Sequence, residues 1–352
     1  MKVCLLVGSG NPSFGGVERH VIQVANGVVD HGHSAFLVMG HPCPIDAEHG
    51  LRPGVVVHRV PVPDGRSFPA FARAALRCIQ HEGPSVVHSH LTYGLGVGAW
   101  ARTLKGHPLV HTEHFLVRKS GDEGLRGRIG AVLRGRADAL IFVSRMVLDG
   151  CAVAGDRPTR HVIYNGADPI DPPPTWHPSR RLVYLGRLDA DKRVAVALDA
   201  IRLLSGEGYV LDVVGTGLEE KALQGAAGDL VTSGVVRFHG WQRDVGRFLE
   251  GAGALLLPAR EGLGYSAIEA AAYGVPVVAP AASGAAEVVE RSGRGALVDD
   301  DGRPEAWANA VRGLAWLPET RVEFPTILQR AHMVEETIRV YRGLWDRHPR
   351  TA

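Results

Sequence analysis

Two carboxylates, Glu261 and Glu269, stand eight residues apart in Pro258-Ala259-Arg260-Glu261-Gly262-Leu263-Gly264-Tyr265-Ser266-Ala267-Ile268-Glu269-Ala270-Ala271-Ala272. An apolar run ends at Pro258, a glycine-spaced turn follows, and a helical pattern opens near Gly264. One acid therefore lies in a turn at a sheet edge and the other on a helix. Ionised, both are hydrogen-bond acceptors only. Glu269 has apolar residues on both sides, where an unpaired charge is costly. Ser266-x-x-Glu269 also fits a capping box, which would satisfy the acid without a ligand.

A second chemical signal is Gly8-Ser9-Gly10-Asn11-Pro12-Ser13-Phe14-Gly15-Gly16, between an apolar run and a helix beginning near Val17. Glycines there let backbone N–H groups approach an anion, and the helix dipole favours it. A tight turn would use them too. A nicotinamide-dehydrogenase reading fails, because Ser13 stands where the third glycine of G-x-G-x-x-G belongs. The second strand ends Met39-Gly40, without an acid for a ribose. Only five of the 39 basic residues are lysines (2, 105, 119, 192 and 221), so Lys192, in a strand–helix loop, is conspicuous.

These residues need a scaffold. Short β-branched runs (Val3–Val7, Ala35–Met39, Val55–Val60, Val86–His88, Leu109–Thr112, Ala139–Val143, His161–Tyr164) alternate with helical segments such as Val17–Val29, Phe68–His81 and Tyr93–Leu104. The second half repeats the pattern at Leu182–Leu185, Leu211–Val214, Val235–Phe238, Ala254–Leu257, Val275–Val278 and Ala296–Val298. Such alternation predicts parallel, doubly wound sheets. Asp168-Pro169-Ile170-Asp171-Pro172-Pro173-Pro174 divides the halves, since consecutive prolines suit neither helix nor inner strand. Ligands of such sheets bind at strand C-terminal ends, which predicts a cleft shared by two domains.

With 352 residues the chain suits two domains. A net charge of +2 argues against nucleic acid as the main partner. Cys4, Cys43, Cys78 and Cys151 form no C-x-x-C pair, and the apolar start is too short for a signal peptide or a membrane span. A cytoplasmic location is expected.

In context, the segment around Glu261 resembles the E-x7-E motif of family-4 retaining glycosyltransferases of GT-B fold (group 1 type). Val275-Pro276-Val277-Val278-Ala279 with Ser283-Gly284-Ala285-Ala286-Glu287 is similar to the family's G-x-P-V-V…G-G-x-x-E run, with Ser283 replacing the first glycine. Gly186-Arg187-Leu188 through Lys192-Arg193 resembles its phosphate loop. Gly15-Gly16, Val87-His88-Ser89-His90, Thr112-Glu113-His114, Tyr164-Asn165-Gly166-Ala167-Asp168, Leu211 to Gly217, Phe238-His239-Gly240-Trp241 and Gly295-Ala296-Leu297-Val298 are similar too, so the likeness spans nearly the whole chain in order. The resemblance implies an α/β GT-B fold, with two Rossmann-like doubly wound parallel-sheet domains facing an interdomain cleft. The divisions expected are 1–168 (acceptor domain), 169–178 (Pro-rich linker), 179–325 (nucleotide-sugar donor domain) and 326–352, a C-terminal helix that could cross back to the first domain.

The resemblance also implies roles. Arg187 and Lys192 would neutralise the diphosphate of the leaving nucleotide, in place of a metal. Amides at Gly15, Gly16, Gly264, Tyr265 and Ser266 would add donors, and Glu269 would accept both hydroxyls of the ribose. Glu261 would orient the donor sugar, His114 would contact it near C6, His90 would line the acceptor or donor-sugar side, and Trp241 is a candidate for the base. Retention would follow a front-face displacement with no covalent nucleophile; indeed no G-x-S-x-G elbow or recognisable Cys/His pair occurs.

The expected partners are a nucleotide diphosphate sugar and a small-molecule or lipid-linked hydroxyl acceptor, with no cofactor and no metal. Asp189-Ala190-Asp191 and Asp299-Asp300-Asp301 fit the D-x-D pattern of metal-dependent transferases, but the first belongs to the phosphate loop and the second reads as a capped turn. A UDP-sugar is preferred over a GDP-sugar, as only Asp244 follows the base loop as a guanine-reading acid. An epimerase or synthase on the same architecture, and a non-catalytic nucleotide-sugar binder, are the rival readings. The loops Pro61–Pro69, Leu91–Gly96 and Phe115–Gly124 would face the acceptor. Segment 118–138 carries six basic and three acidic residues, with Leu125, Ile129, Val132 and Leu133 at helical spacing. It reads either as a weak peripheral membrane contact or as a solvated helix packed on the sheet. Twelve of the 17 histidines precede Cys151, and His31, His41 and His49 are expected only in turns.

Overall fold

The computed structural model describes residues 1–8, 14–43, 45–61, 68–116, 124–314 and 319–347. The chain divides into two compact units, Met1–Asn165 with Arg330–Ala352, and Gly166–Gln329.

The first unit is built on seven parallel strands: β1 (Lys2–Val7), β2 (Ser34–His41), β3 (Val56–Pro61), β4 (Val86–His90), β5 (Leu109–Glu113), β6 (Ala139–Phe142) and β7 (Thr159–Val162). Their order is β3-β2-β1-β4-β5-β6-β7. Progression reverses between β1 and β4, where Val7 lies beside His90. Helices α1 (Gly16–Asp30), α2 (Phe68–Glu82), α3 (Leu91–Lys105), α4 (Leu125–Arg134) and α5 (Arg145–Gly150) connect the strands. Right-handed crossovers running in opposite directions from the reversal put α1 on one face of the sheet and α2 and α3 on the other. β1 and β4 are buried on both faces; β1 reads as a continuous apolar run, whereas β4 buries His88, Ser89 and His90 after Val86 and Val87.

The second unit repeats the scheme. Its strands are β8 (Thr175–Trp176), β9 (Arg181–Leu185), β10 (Val210–Val214), β11 (Val236–Phe238), β12 (Ala254–Leu256), β13 (Val277–Pro280), β14 (Gly295–Val298) and β15 (Thr320–Arg321). Six form a parallel sheet, β11-β10-β9-β12-β13-β14, and β8 pairs antiparallel with β15. The helices are α6 (Val194–Leu204), α7 (Glu220–Ala226), α8 (Gly228–Thr232), α9 (Gly246–Leu249), α10 (Tyr265–Ala272), α11 (Ala285–Ser292) and α12 (Pro304–Leu314). Leu198, Ile201, Trp307 and Val311 close the core over β9 and β10. Burying each such side chain contributes about 1.5–3 kcal/mol. Part of the Pro-rich stretch is bound into this unit: Val322 N–H donates to the Pro174 carbonyl at 3.1 Å, and buried Trp176 donates Nε1–H to Ala252 at 3.0 Å.

Helix α13 (Arg330–Trp345) returns to the first unit. Met333, Val334, Ile338 and Tyr341 pack with Val21, Val24 and Val28 of α1 into that unit's core.

Several sequence expectations shift. Residues 91–96 are the opening turns of α3 rather than a loop, and β7 starts two residues earlier than its apolar run. Residues 62–67 and 117–123, within the loops Pro61–Pro69 and Phe115–Gly124 expected to face the acceptor, and residues 9–13 of the glycine-rich turn lie outside the described residues. Helix α4 does not bury its aliphatic residues on the sheet: Gly127 and Arg134 face inward, while Leu125, Ile129 and Val132 are exposed. His31 and His49 do hold local turns, through Gly27 and Asp46.

Candidate active site

In the second unit the order reverses between β9 and β12, and the predicted residues gather at the carboxyl ends of these strands. The chain leaves β9 at Gly186. The next loop is clamped by the loop after β10: Gly186 N–H donates to Val214 at 3.1 Å, Leu188 N–H to Thr216 at 2.9 Å, and Glu219 N–H to Leu188 at 2.8 Å. Gly215 has φ +136°, and a Cβ there would lie 1.9 Å from the Gly186 carbonyl oxygen. Tyr184 donates its hydroxyl proton to the Arg187 carbonyl at 2.7 Å. Arg187 and Lys192 thus stand on a fixed backbone.

Lys192 reaches across to Glu261, with Nζ 2.8 Å from Oε1, and lies 3.3 Å from an Asp191 oxygen. Burial works against the ammonium, but Glu261 and Asp191 outweigh it and hold Lys192 above the ordinary lysine range. Arg187, half-exposed, is paired with Asp189 and lies 3.9 Å from Asp191. Asp189 also accepts the Leu218 N–H at 3.0 Å. The other acidic run lies in the turn that precedes α12, and its Asp301 carries ion pairs as well. Asp301 is gripped by Arg193 at 2.9 Å and Arg260 at 2.8 Å, tying the Arg187/Lys192 loop to the loop that carries Glu261.

The Glu261 backbone is anchored by Ser283, the residue that departs from the family's glycine. Its buried hydroxyl accepts the Glu261 N–H at 2.9 Å and donates to the Glu261 carbonyl at 3.3 Å, and Gly284 N–H donates to the same carbonyl at 2.8 Å. Gly264, at φ +86°, turns the chain into α10, a conformation that side chains other than glycine rarely adopt. The helix opens at Tyr265, so Ser266 sits inside the first turn and the N-cap is Gly264, without a side-chain cap. The capping-box reading of Ser266 and Glu269 is therefore not realised, because the proposed cap lies two residues too far along. Tyr265, Ser266 and Glu269 are all partly exposed. Trp241, on the loop after β11, is exposed. Asp244 accepts the Gly246 N–H at 3.0 Å.

In the first unit, Gly15 and Gly16 open α1, and the Glu18 carboxylate accepts the Gly15 N–H at 3.0 Å. Strand alternation turns His88 and His90 to one face, where His114 joins them: His90 Nδ1 lies 3.0 Å from His114 Nε2. Sequence reasoning missed the third member. His20, one helical turn beyond Gly16, donates Nδ1–H to Asn165 Oδ1 at 2.9 Å and lies against both rings. His88 bridges Tyr341 of α13 at 2.5 Å and Thr112 at 2.7 Å. The usable signal was the period-2 spacing of His88/His90 and Thr112/His114, continued by a histidine one turn into α1. Burial drives the imidazoles toward the neutral form: His20 falls to about 4, and His88, His90 and His114 lie well below the usual histidine range, their neighbouring imidazoles adding to the effect.

Among the described residues, His20, His90 and His114 are the group whose ligand atoms come within metal-holding range, 4.8 Å of one another. Neither Asp-rich run forms such a group there. Leu91 and Arg193, the two described non-glycine residues with positive φ (62° and 53°), directly follow His90 and Lys192. Backbone strain of this kind concentrates at functional sites.

The fold matches solved structures along nearly its whole length. HepE from Anabaena, determined in complex with UDP, superposes with a TM-score of 0.74 at 20% identity, covering 97% of this chain and all of that one. Two doubly wound α/β units with this likeness define the GT-B class of architecture. Residues 14–170 match the profile of Glycosyltransferase Family 4, and residues 173–326 that of Glycosyl transferases group 1. The chain belongs to the group 1 glycosyltransferases. It is 29% identical over 327 residues to a D-inositol 3-phosphate glycosyltransferase from Nocardioides sp., covering 77% of this chain and 70% of that protein. It is also 29% identical over 341 residues to a GDP-mannose-dependent alpha-mannosyltransferase from Mycolicibacterium smegmatis, covering 86% and 85%.

Proposed function

We propose that the protein is a retaining hexosyltransferase that uses a nucleotide diphosphate sugar, works without a metal ion, and glycosylates a small-molecule or lipid-linked hydroxyl. The observation that carries this reading is the Lys192–Glu261 pair at 2.8 Å, beside Arg187. A buried-side ammonium and a guanidinium on a rigid loop offer the preorganised positive charge that departure of a nucleoside diphosphate requires. Binding exchanges partners: the diphosphate takes Lys192 and Arg187, and the released Glu261 carboxylate accepts hydroxyl protons of the sugar. Glu269 accepts the ribose hydroxyls, amides of Gly264, Tyr265 and Ser266 add donors at the start of α10, and Trp241 offers its ring to the base. In the first unit, His114 is assigned to the donor sugar near C6 and His90 to the acceptor or donor-sugar side, both as neutral imidazoles, and Gly15 and Gly16 to the phosphates at the start of α1. The leaving phosphate oxygen takes the acceptor proton in a front-face displacement.

Uridine is preferred over guanosine because Asp244, whose Oδ1 accepts the Gly246 N–H, is the one acid just after the base loop suited to reading guanine. The name of the mycobacterial relative makes GDP-mannose the donor to set against it. A thermal-shift panel of UDP, GDP, dTDP and ADP, with and without EDTA, tests base and metal together. Stabilisation by UDP that EDTA leaves unchanged is expected. Stabilisation by GDP alone would reassign the base, and one abolished by EDTA would refute metal independence. Anomeric analysis of product by NMR tests retention.

A further inference from the structure

Helix α4 is amphipathic in the reverse sense for a helix in water. Its inward side is Gly127 and Arg134, the latter held by the Glu113 carboxylate at 2.9 Å and the Ala152 carbonyl at 3.1 Å. Those bonds fix the helix's rotation. Outward stand Leu125, Ile129 and Val132, 74%, 50% and 49% exposed, interleaved with exposed Arg126 and Arg128 and followed by exposed Arg136. The neighbouring α3, packed against α4, also presents apolar groups: Tyr93, Trp100 and Leu104 are exposed, with Phe68 against both aromatic rings.

Neither helix contains an acidic residue. The carboxylates behind the layer are already paired: Asp138 with Arg102 at 2.7 Å, and Glu113 with Arg134. Among the described residues, Arg126, Arg128 and Arg136 have no carboxylate partner. The surface is thus apolar and cationic at once. A second copy of the chain would set arginine against arginine, whereas a surface both anionic and apolar just beneath complements it fully. Exposed tryptophan and tyrosine beside aliphatic residues suit the same boundary.

We propose that the outer face of α3 and α4 docks the protein on an anionic phospholipid bilayer, with Leu125, Ile129, Val132, Trp100 and Leu104 entering the headgroup boundary and Arg126, Arg128 and Arg136 meeting lipid phosphates. This docking stands independently of the donor and acceptor assignments.

Sedimentation of the full chain with phosphatidylcholine vesicles, with and without phosphatidylserine, tests it. The protein pellets with the anionic vesicles, stays in solution with the zwitterionic ones, and is released at high salt as the screening length shrinks to about 3 Å at 1 M. Arg126→Glu with Arg128→Glu, and separately Ile129→Ser with Val132→Ser, each weaken pelleting at least about tenfold. All four side chains point outward, so circular dichroism and the melting temperature stay at wild-type values. A vesicle-induced blue shift of tryptophan emission disappears in Trp100→Phe. Wild-type protein that ignores anionic vesicles, or variants that pellet like wild type, would overturn the proposal. So would a solution dimer that the serine variants break while no vesicle binding is seen.

Discussion

Lys192 and Glu261, 69 residues apart in sequence, form a direct ion pair in the second unit, Nζ to Oε1 at 2.8 Å. Both ends are fixed. The lysine ends a loop clamped onto the loop after β10, and the acid's backbone is bonded by Ser283 and Gly284. A phosphate entering here competes with Glu261 for the ammonium. Under the proposed function, the donor's diphosphate and sugar satisfy Lys192 and Glu261 together, whereas a nucleotide without its sugar would leave Glu261 without its cation.

Two variants separate these contributions. Lys192→Ala is expected to lower kcat by about 10²–10³, the effect of removing one preorganised charge donor, with the circular dichroism spectrum retained. Glu261→Gln keeps the shape but removes the competing anion. It should bind free UDP at least as tightly as wild type in calorimetry while turnover falls. Full activity in Lys192→Ala would remove the lysine from the reaction, and weaker UDP binding in Glu261→Gln would refute the exchange of partners.

Ser283 offers a test at a position where the chain departs from its family's glycine. Its fully buried hydroxyl serves both backbone groups of Glu261. Ser283→Ala leaves that N–H without its acceptor and should cost about 1–3 kcal/mol, read as a lower melting temperature, together with a several-fold rise in the KM for donor. An unchanged KM would mean that Gly284 alone positions the acid.

The fold was largely legible because inner strands of a doubly wound sheet are buried on both faces and most open on an apolar run, as in Val3–Val7 and Val86–Val87, even where β4 and β5 go on into histidines. The Arg187/Lys192 loop and the Glu261–Glu269 turn could be located for a related reason, since each follows a strand end where glycines mark the chain's exit. What escaped was convergence across the sequence. His20 and Asn165 meet over 145 residues, and no periodicity links a helix's first turns to a loop beyond β7. The two-residue strands β8 and β15 are too short to carry an alternation. Helix α4 misled because its spacing was correct but its rotation is set by Arg134, a polar residue that turned out to be the inward one.

Gly215 should tolerate no side chain. Its φ of +136° is unfavourable for L-residues, and a Cβ would stand 1.9 Å from the Gly186 carbonyl oxygen. The clash is with backbone, which no rotamer relieves. Gly215→Ala is expected to lose at least ~2 kcal/mol and to abolish the UDP-dependent thermal shift, because the loop bearing Arg187 is displaced. Near-wild-type melting with an intact shift would show that the two loops can separate without cost to the site.

The histidine cluster sets the response of the first unit to acid. His20 has its folded pKa lowered to about 4 by burial, with the Asn165 bond opposing, against about 6.5 for a free imidazole. Above about pH 6.5 the ring is neutral in both folded and unfolded chains and contributes no pH dependence. As pH falls from there toward 4, the unfolded chain takes up a proton that the folded chain refuses, so stability declines, by about 3 kcal/mol for His20 across that window. His88, His90 and His114 are shifted in the same direction and steepen the fall. Denaturant midpoints measured between pH 7.5 and 4.5 should therefore drop continuously below about pH 6.5. His20→Gln, which has no proton to take up, should start lower at pH 7.5 but lose less as the solution is acidified, so that its gap to wild type narrows. Parallel curves for the two proteins would mean that His20 takes up its proton equally in the folded and unfolded chains, and the buried neutral cluster would have to be abandoned.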